Sequence, residues 1–133
     1  MALIVGPEGL AKAACFYAKK LGIDNEDFTV LIERTKVGKG LIGSCDWDAE
    51  ERVGIIQLDP RNHAEPILSI LAHEMVHIKQ YVTGQMSSVG DTVIWEGVSY
   101  KETTDDEYWD SPWEIEAFGR QLGLYIRYKN KEE

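Results

Sequence analysis

Residues 73–77 read His-Glu-Met-Val-His, an H-E-x-x-H pattern. On a helix, His73 and His77 fall four positions apart and project from one face, where both imidazoles can hold a single Zn²⁺. Glu74 sits beside them, placed to take a proton from a metal-activated water rather than to bind the metal. The chain contains three histidines, and two of them lie in this pattern. The plain alternative is two polar residues on a packed helix. The flanking sequence argues against it.

Residues 67–82 contain no Gly or Pro and are apolar at helical spacing, which predicts a helix over the whole stretch. On a 100° wheel Ile67, Leu68, Leu71, Met75, Ile78 and Val82 share one arc, with His73, His77 and Gln80 roughly opposite. Such a helix puts one face in a core and turns the histidines toward a cleft. Gln80 is then placed to bond a group around the ion, and Lys79 points elsewhere, toward solvent.

A catalytic zinc takes three protein ligands and leaves a fourth position for water. His63, in the loop before the helix, is one candidate for the missing ligand. A better one lies in residues 110–118, where Ser111 and Pro112 mark a helix start. Two carboxylates follow, Glu114 and Glu116. Ala117, Phe118, Gln121, Leu122 and Tyr125 share an arc with Glu114, whereas Glu116 lies opposite, beside Gly119, Arg120 and Gly123. Glu114 therefore faces inward, and Glu116 faces water with Arg120 as an i, i+4 partner. Ser-x-x-Glu is also a capping box, so Glu114 has a competing role at its own helix start.

The other elements follow from the same patterns. Pro7 opens a helix with Leu10, Ala11, Ala14, Cys15, Ala18 and Leu21 as its apolar stripe, and Gly22 stops it. Strands are predicted over 28–34, 41–47 and 52–58, the last two joined by a turn at 48–51. Residues 59–66 form the loop into the motif helix, and 92–101 form a hairpin about Glu96-Gly97. The acidic stretch 103–107 reads as a loop, and the last helix runs from Pro112 to about Tyr128. The expected fold is α+β: an N-terminal helix, a small three-stranded sheet, the motif helix, a β-hairpin and a C-terminal glutamate helix.

At 133 residues the chain reads as one domain, 1–133, able to bury its own core. Its net charge of −9 argues against nucleic acid and against a membrane surface as partners. No run is long enough to span a membrane and no signal-peptide pattern opens the chain, so a cytoplasmic location is expected. Cys15 and Cys45 lack any C-x-x-C spacing and read as free, buried thiols.

His73-Glu74-Met75-Val76-His77, followed downstream by Glu114-Ile115-Glu116-Ala117, resembles the gluzincin class of zinc metallopeptidases. The chain is similar, over about residues 52–125, to compact phage-type and ImmA/IrrE-like metallopeptidase domains. The resemblance implies a minimal zincin-like fold, zinc held by His73, His77 and Glu114, and Glu74 as general base. It departs from the pattern at Trp113, at Phe118 and in lacking a Leu-Leu-x-Pro tail. The expected function is hydrolysis of peptide bonds in a protein or peptide substrate. The alternative is a catalytically silent zinc-binding interaction or regulatory module. Tyr108, just before the ligand helix, is the first choice to stabilise the oxyanion, and Tyr100 is the second. The strand over 53–58 is expected to pair with the substrate by strand addition. Trp47, Trp95, Trp109 and Trp113 read as packing for the core and cleft walls.

Overall fold

A parallel pair of strands needs a crossover, and residues 2–34 supply one. In the computed structural model, which describes residues 1–38, 41–61, 66–101 and 105–132, β1 (Ala2–Val5) pairs in parallel with β2 (Phe28–Arg34) across α1 (Glu8–Lys20). Gly22 (φ 77°) closes α1, and Ile23 N–H donates back to the Ala18 carbonyl at 3.0 Å. Strand β3 (Gly43–Asp48) turns at residues 48–52 into β4 (Val53–Leu58), and the Asp48 carboxylate accepts from the Glu50 and Glu51 N–H groups in that turn.

The sheet order is β1-β2-β4-β3, with β3 antiparallel and all other pairs parallel. It therefore has four strands where three were expected. The extra one is β1, whose four residues carry too little alternation to declare themselves and are held by pairing with β2, from Ala2 opposite Phe28 to Val5 opposite Leu31.

Period-two alternation buries Val30, Ile32, Ile56 and Leu58 on one face of this sheet. Helix α2 (Ile67–Val82) crosses that face, with Leu71, Met75 and Ile78 fully buried beneath it. Gly54 makes the approach possible, because a Cβ there would lie 2.3 Å from Ile78 Cδ1. Tyr17 of α1 donates its hydroxyl to the Leu68 carbonyl at 2.9 Å and joins Phe16 and Tyr128 in an aromatic cluster.

After α2 the chain makes a second sheet, β5 (Met86–Val89), β6 (Thr92–Trp95) and β7 (Val98–Tyr100), in that order. The expected hairpin is its β6–β7 half, with Glu96 and Gly97 both at positive φ (48° and 85°) as a type I′ turn needs. Strand β5 adds the third, unforeseen strand. Of the acidic stretch expected as a loop, Asp105 to Glu107 instead begin a short helix, α3 (Asp105–Trp109). Helix α4 (Pro112–Glu132) then packs along α2. The molecule is thus mixed α+β, with four helices and two sheets among the described residues, and none of those helices is long and apolar enough to cross a membrane.

The inner stripe of α1 is Leu10, Ala13, Ala14, Tyr17, Ala18 and Leu21. Cys15 is exposed rather than buried because it sits outside that stripe, while Cys45 is half-buried in β3. Both thiols are free. Burial pushes the Cys45 thiol well above its ordinary pKa, and the carboxylates of Glu74 and Asp46 add to the shift.

Candidate metal centre

Helix α2 is buried almost all round, so its polar residues must find partners inside the protein. His73, Glu74 and His77 each expose 8% or less of their surface. They meet α4, where Glu114 is equally buried. Ala117, one turn on and fully buried, lets the two helices lie close. His73 Nε2 is 3.1 Å from Glu114 Oε1, and His77 Nε2 is 3.3 Å from Glu114 Oε2. Ligand atoms of the three residues all lie within 4.8 Å of one another.

The competing capping role of Glu114 is not what the structure builds. Ser111 N–H donates to the Tyr108 carbonyl, and the Ser111 hydroxyl donates to that of Glu107. The Glu114 carboxylate is turned to the two histidines instead. Burial would raise its pKa, but hydrogen bonds with His73 and His77 outweigh that and hold it down to about 2.

Two glutamines set the direction in which the imidazoles face. Gln80, fully buried, gives its Nε2 protons to the Trp113 carbonyl (2.9 Å) and to Glu116 Oε1 (3.0 Å). Its oxygen is therefore left to accept from His77 Nδ1 at 2.8 Å. Gln121 Oε1 accepts from His73 Nδ1 at 2.9 Å while its Nε2 donates to Ser69 Oγ at 3.0 Å. With protons committed to both Nδ1 atoms, both Nε2 lone pairs of neutral imidazoles point at the lone pairs of a carboxylate. That arrangement is repulsive unless an imidazole is protonated or a cation sits between them. His77 feels the first tendency: burial would lower its pKa, but Glu114, Glu74 and Gln80 together raise it.

A divalent cation satisfies all three groups at once, and two nitrogens with one carboxylate oxygen are donors that zinc accepts. Ligands at roughly 2.0–2.1 Å from a tetrahedral zinc stand about 3.3 Å apart, close to the two Nε2–carboxylate separations here. The residues present fit a metal, and none of them identifies which metal.

Glu74 is buried beside this group. Burial raises its pKa, against the attraction of His77 and His73 and with added repulsion from Glu114 and Asp46. Gly43 of β3 lies against it; a Cβ there would be 3.2 Å from Glu74 Oε2 and 2.8 Å from Ile70 Cγ2.

A cleft of about 530 Å³ opens on one side of His73 and Glu74, walled by Leu41, Ile42, Ile70, Trp109 and Phe118. A second, of about 260 Å³, holds the His73, His77 and Glu114 group itself, against Ser44 and Cys45 of β3. Tyr108 borders both clefts, and its hydroxyl reaches Glu114. Burial and the charges of Glu114 and Glu74 raise its pKa.

Several expectations change. Tyr100 packs edge-on against Trp113 at 5.3 Å and borders neither cleft. His63 lies outside the described residues. Glu116 is not a free surface carboxylate: it accepts from Lys79 Nζ at 2.7 Å and from Gln80, and Arg120 stands only at 3.8 Å. Lys79 is correspondingly drawn in from solvent, also donating to Gln85 Oε1 at 2.8 Å. Leu122 faces outward, 61% exposed, because the buried face of α4 is Glu114, Ala117, Gln121, Leu124 and Tyr128. Strand β4, expected along the cleft, is paired on both sides by β2 and β3, so among the described residues the edge strand beside the site is β3.

The sequence does not declare the roles of Gln121 and Gly43 or the edge-on packing of Phe118 against His73 (ring centroids 4.4 Å apart, planes at 61°). The helical wheel places Gln121 on the Glu114 face, and that shared face is the sequence signal for its role. Trp109 lines the larger cleft, Trp95 packs near Trp113 at 6.3 Å, and Trp47 stacks on Tyr81 at 5.9 Å, as packing residues do. Comparison with protein-family models, with curated proteins and with solved structures finds no match, so the reading of this centre rests on its own residues.

Proposed function

We propose that the chain is a gluzincin-type zinc metallopeptidase that hydrolyses peptide bonds. The observation that carries this reading is a buried His73, His77 and Glu114 group with a further buried carboxylate, Glu74, beside it and outside the ligand set. Zinc in such a group supplies Lewis acidity, bringing the pKa of a water near neutrality and polarising a carbonyl.

The chain's own residues account for the rest. Glu74 takes the proton of the attacking water and delivers it to the departing amine, and its raised pKa suits both halves of that transfer. The Tyr108 hydroxyl, still protonated at neutral pH, donates to the carbonyl oxygen as negative charge builds there. Strand β3, at the edge of the sheet among the described residues, offers that edge to an extended peptide, so that main-chain hydrogen bonds fix the substrate beside Glu74. Gln80 and Gln121 hold the imidazoles in the tautomer that binding requires.

The test compares zinc-loaded wild type with Glu74→Gln on a broad peptide pool. Loss of cleavage by about two orders of magnitude or more at unchanged zinc content is expected. Equal, background-level cleavage by both proteins would overturn the peptidase reading in favour of a silent zinc-binding module.

A further inference from the structure

The outward face of α4 carries a run of large apolar residues that nothing in the described chain covers. Ile115 is 57% exposed, Phe118 40%, Leu122 61% and Ile126 45%, and Trp109 just before the helix is 62% exposed. With typical side-chain areas of roughly 150–200 Å², these exposures amount to roughly 500 Å² of apolar surface. Such a patch is at the upper end of what a monomer carries. A pair of such patches, with the Trp109 and Phe118 edges included, would bury at most about 1,000 Å², the level at which a specific interface begins.

The occupant can be read from the pattern. Gly119 and Gly123 stand in the same face, and an added Cβ on either would meet nothing within 4 Å. On the 100° wheel Ile115, Gly119, Leu122 and Ile126 form one line. An antiparallel copy related by a two-fold axis between residues 120 and 121 sets Ile115 against Ile126 and brings Leu122 into the notch at Gly119. The ends also match. Glu107 and Asp110 are exposed at the start of this surface, and Lys129 is exposed toward its end, so the antiparallel register sets acidic start against basic end twice over.

We propose that the chain forms a two-fold homodimer through this face of α4, with the glycine notches taking the partner's Leu122. Because Trp109 and Phe118 also wall the larger cleft, each copy's cleft opens beside the interface.

The test is sedimentation equilibrium of the full chain from micromolar to near-millimolar concentration. A reversible monomer–dimer equilibrium is expected. Leu122→Glu and Gly119→Leu each weaken it by roughly tenfold or more, although both sites are open in the monomer. Asp110→Lys weakens it, and adding Lys129→Asp restores it. A wild type that stays monomeric overturns the proposal, as does a dimer untouched by Leu122→Glu and Gly119→Leu. Failure of the double charge exchange to restore pairing overturns the antiparallel register. Capture of a different protein on this face by monomeric wild type also overturns it.

Discussion

Replacing Gln121 with Leu should weaken metal binding without unfolding the protein. Gln121 Oε1 accepts the His73 Nδ1 proton at 2.9 Å in a site where both residues are buried. A leucine of similar size fills the space but leaves that N–H unpaired, a loss of about 1–3 kcal/mol. His73 can escape the penalty by moving its proton to Nε2, where Glu114 accepts it, but then Nε2 has no lone pair for a metal. Either route lowers affinity, by roughly 10–100-fold on the scale of comparable ligand-supporting residues, or about 1.4–2.7 kcal/mol. Gln121→Glu supplies a stronger acceptor and is expected to hold wild-type affinity or tighten it. The assay is competition for zinc against a chromophoric chelator, with a thermal melt of each metal-free protein to confirm folding. A Leu variant that is folded and binds zinc within about twofold of wild type would refute the reasoning.

Further expectations come from the strand and turn that frame the site. Gly43→Ala places a methyl 2.8 Å from Ile70 and 3.2 Å from the Glu74 carboxylate, so it should displace the base and cut peptide hydrolysis by about tenfold or more while leaving zinc content unchanged; unchanged turnover would show that Gly43 does not position Glu74. Gly54→Ala drives a Cβ to 2.3 Å from Ile78 Cδ1, and calorimetry should find it less stable by about 1–3 kcal/mol, with no loss meaning that Ile78 simply turns aside. Asp59 accepts from the Arg61 guanidinium and backbone and from Val37 N–H, with the Arg61 side-chain bond the largest of the influences that depress its pKa. A depressed carboxylate stabilises the fold above its unfolded pKa of about 3.9 and loses that contribution as pH falls through the folded value. The stability gap between wild type and Asp59→Asn should therefore be full at neutral pH and shrink in acid; a gap independent of pH contradicts the assignment.

Much of the centre was legible in the sequence because it depends on helical spacing, which is local. The bounds of α2 follow from its apolar run between Pro66 and Gly84, and the choice of Glu114 over Glu116 follows from the wheel. What the wheel could not supply was the direction of the core across α4. Apolar residues occupy two arcs of that helix, one under Leu124 and Tyr128 and one through Ile115, Leu122 and Ile126. Only the packed partners separate them.

Strand β1 is not legible in the sequence for a related reason. Four apolar residues become a strand only through a parallel partner about 26 positions away, as Ala2 opposite Phe28 shows. Strand β5 begins Met86-Ser87-Ser88, which has no strand signature and is held by pairing with β6. The roles of the two glutamines were half visible. The sequence put each on the correct face, but the partner each bonds is fixed by the meeting of α2 and α4.

The central claim is that His73, His77 and Glu114 hold one zinc ion. A crystal structure of the zinc-incubated protein, with anomalous differences collected on both sides of the zinc edge, tests it most directly. The expected result is one strong peak at roughly 2.0–2.2 Å from His73 Nε2, His77 Nε2 and a Glu114 carboxylate oxygen, with Glu74 outside bonding distance. A peak held by Glu116 or His63 in place of Glu114, or no peak between the two imidazoles, would contradict it.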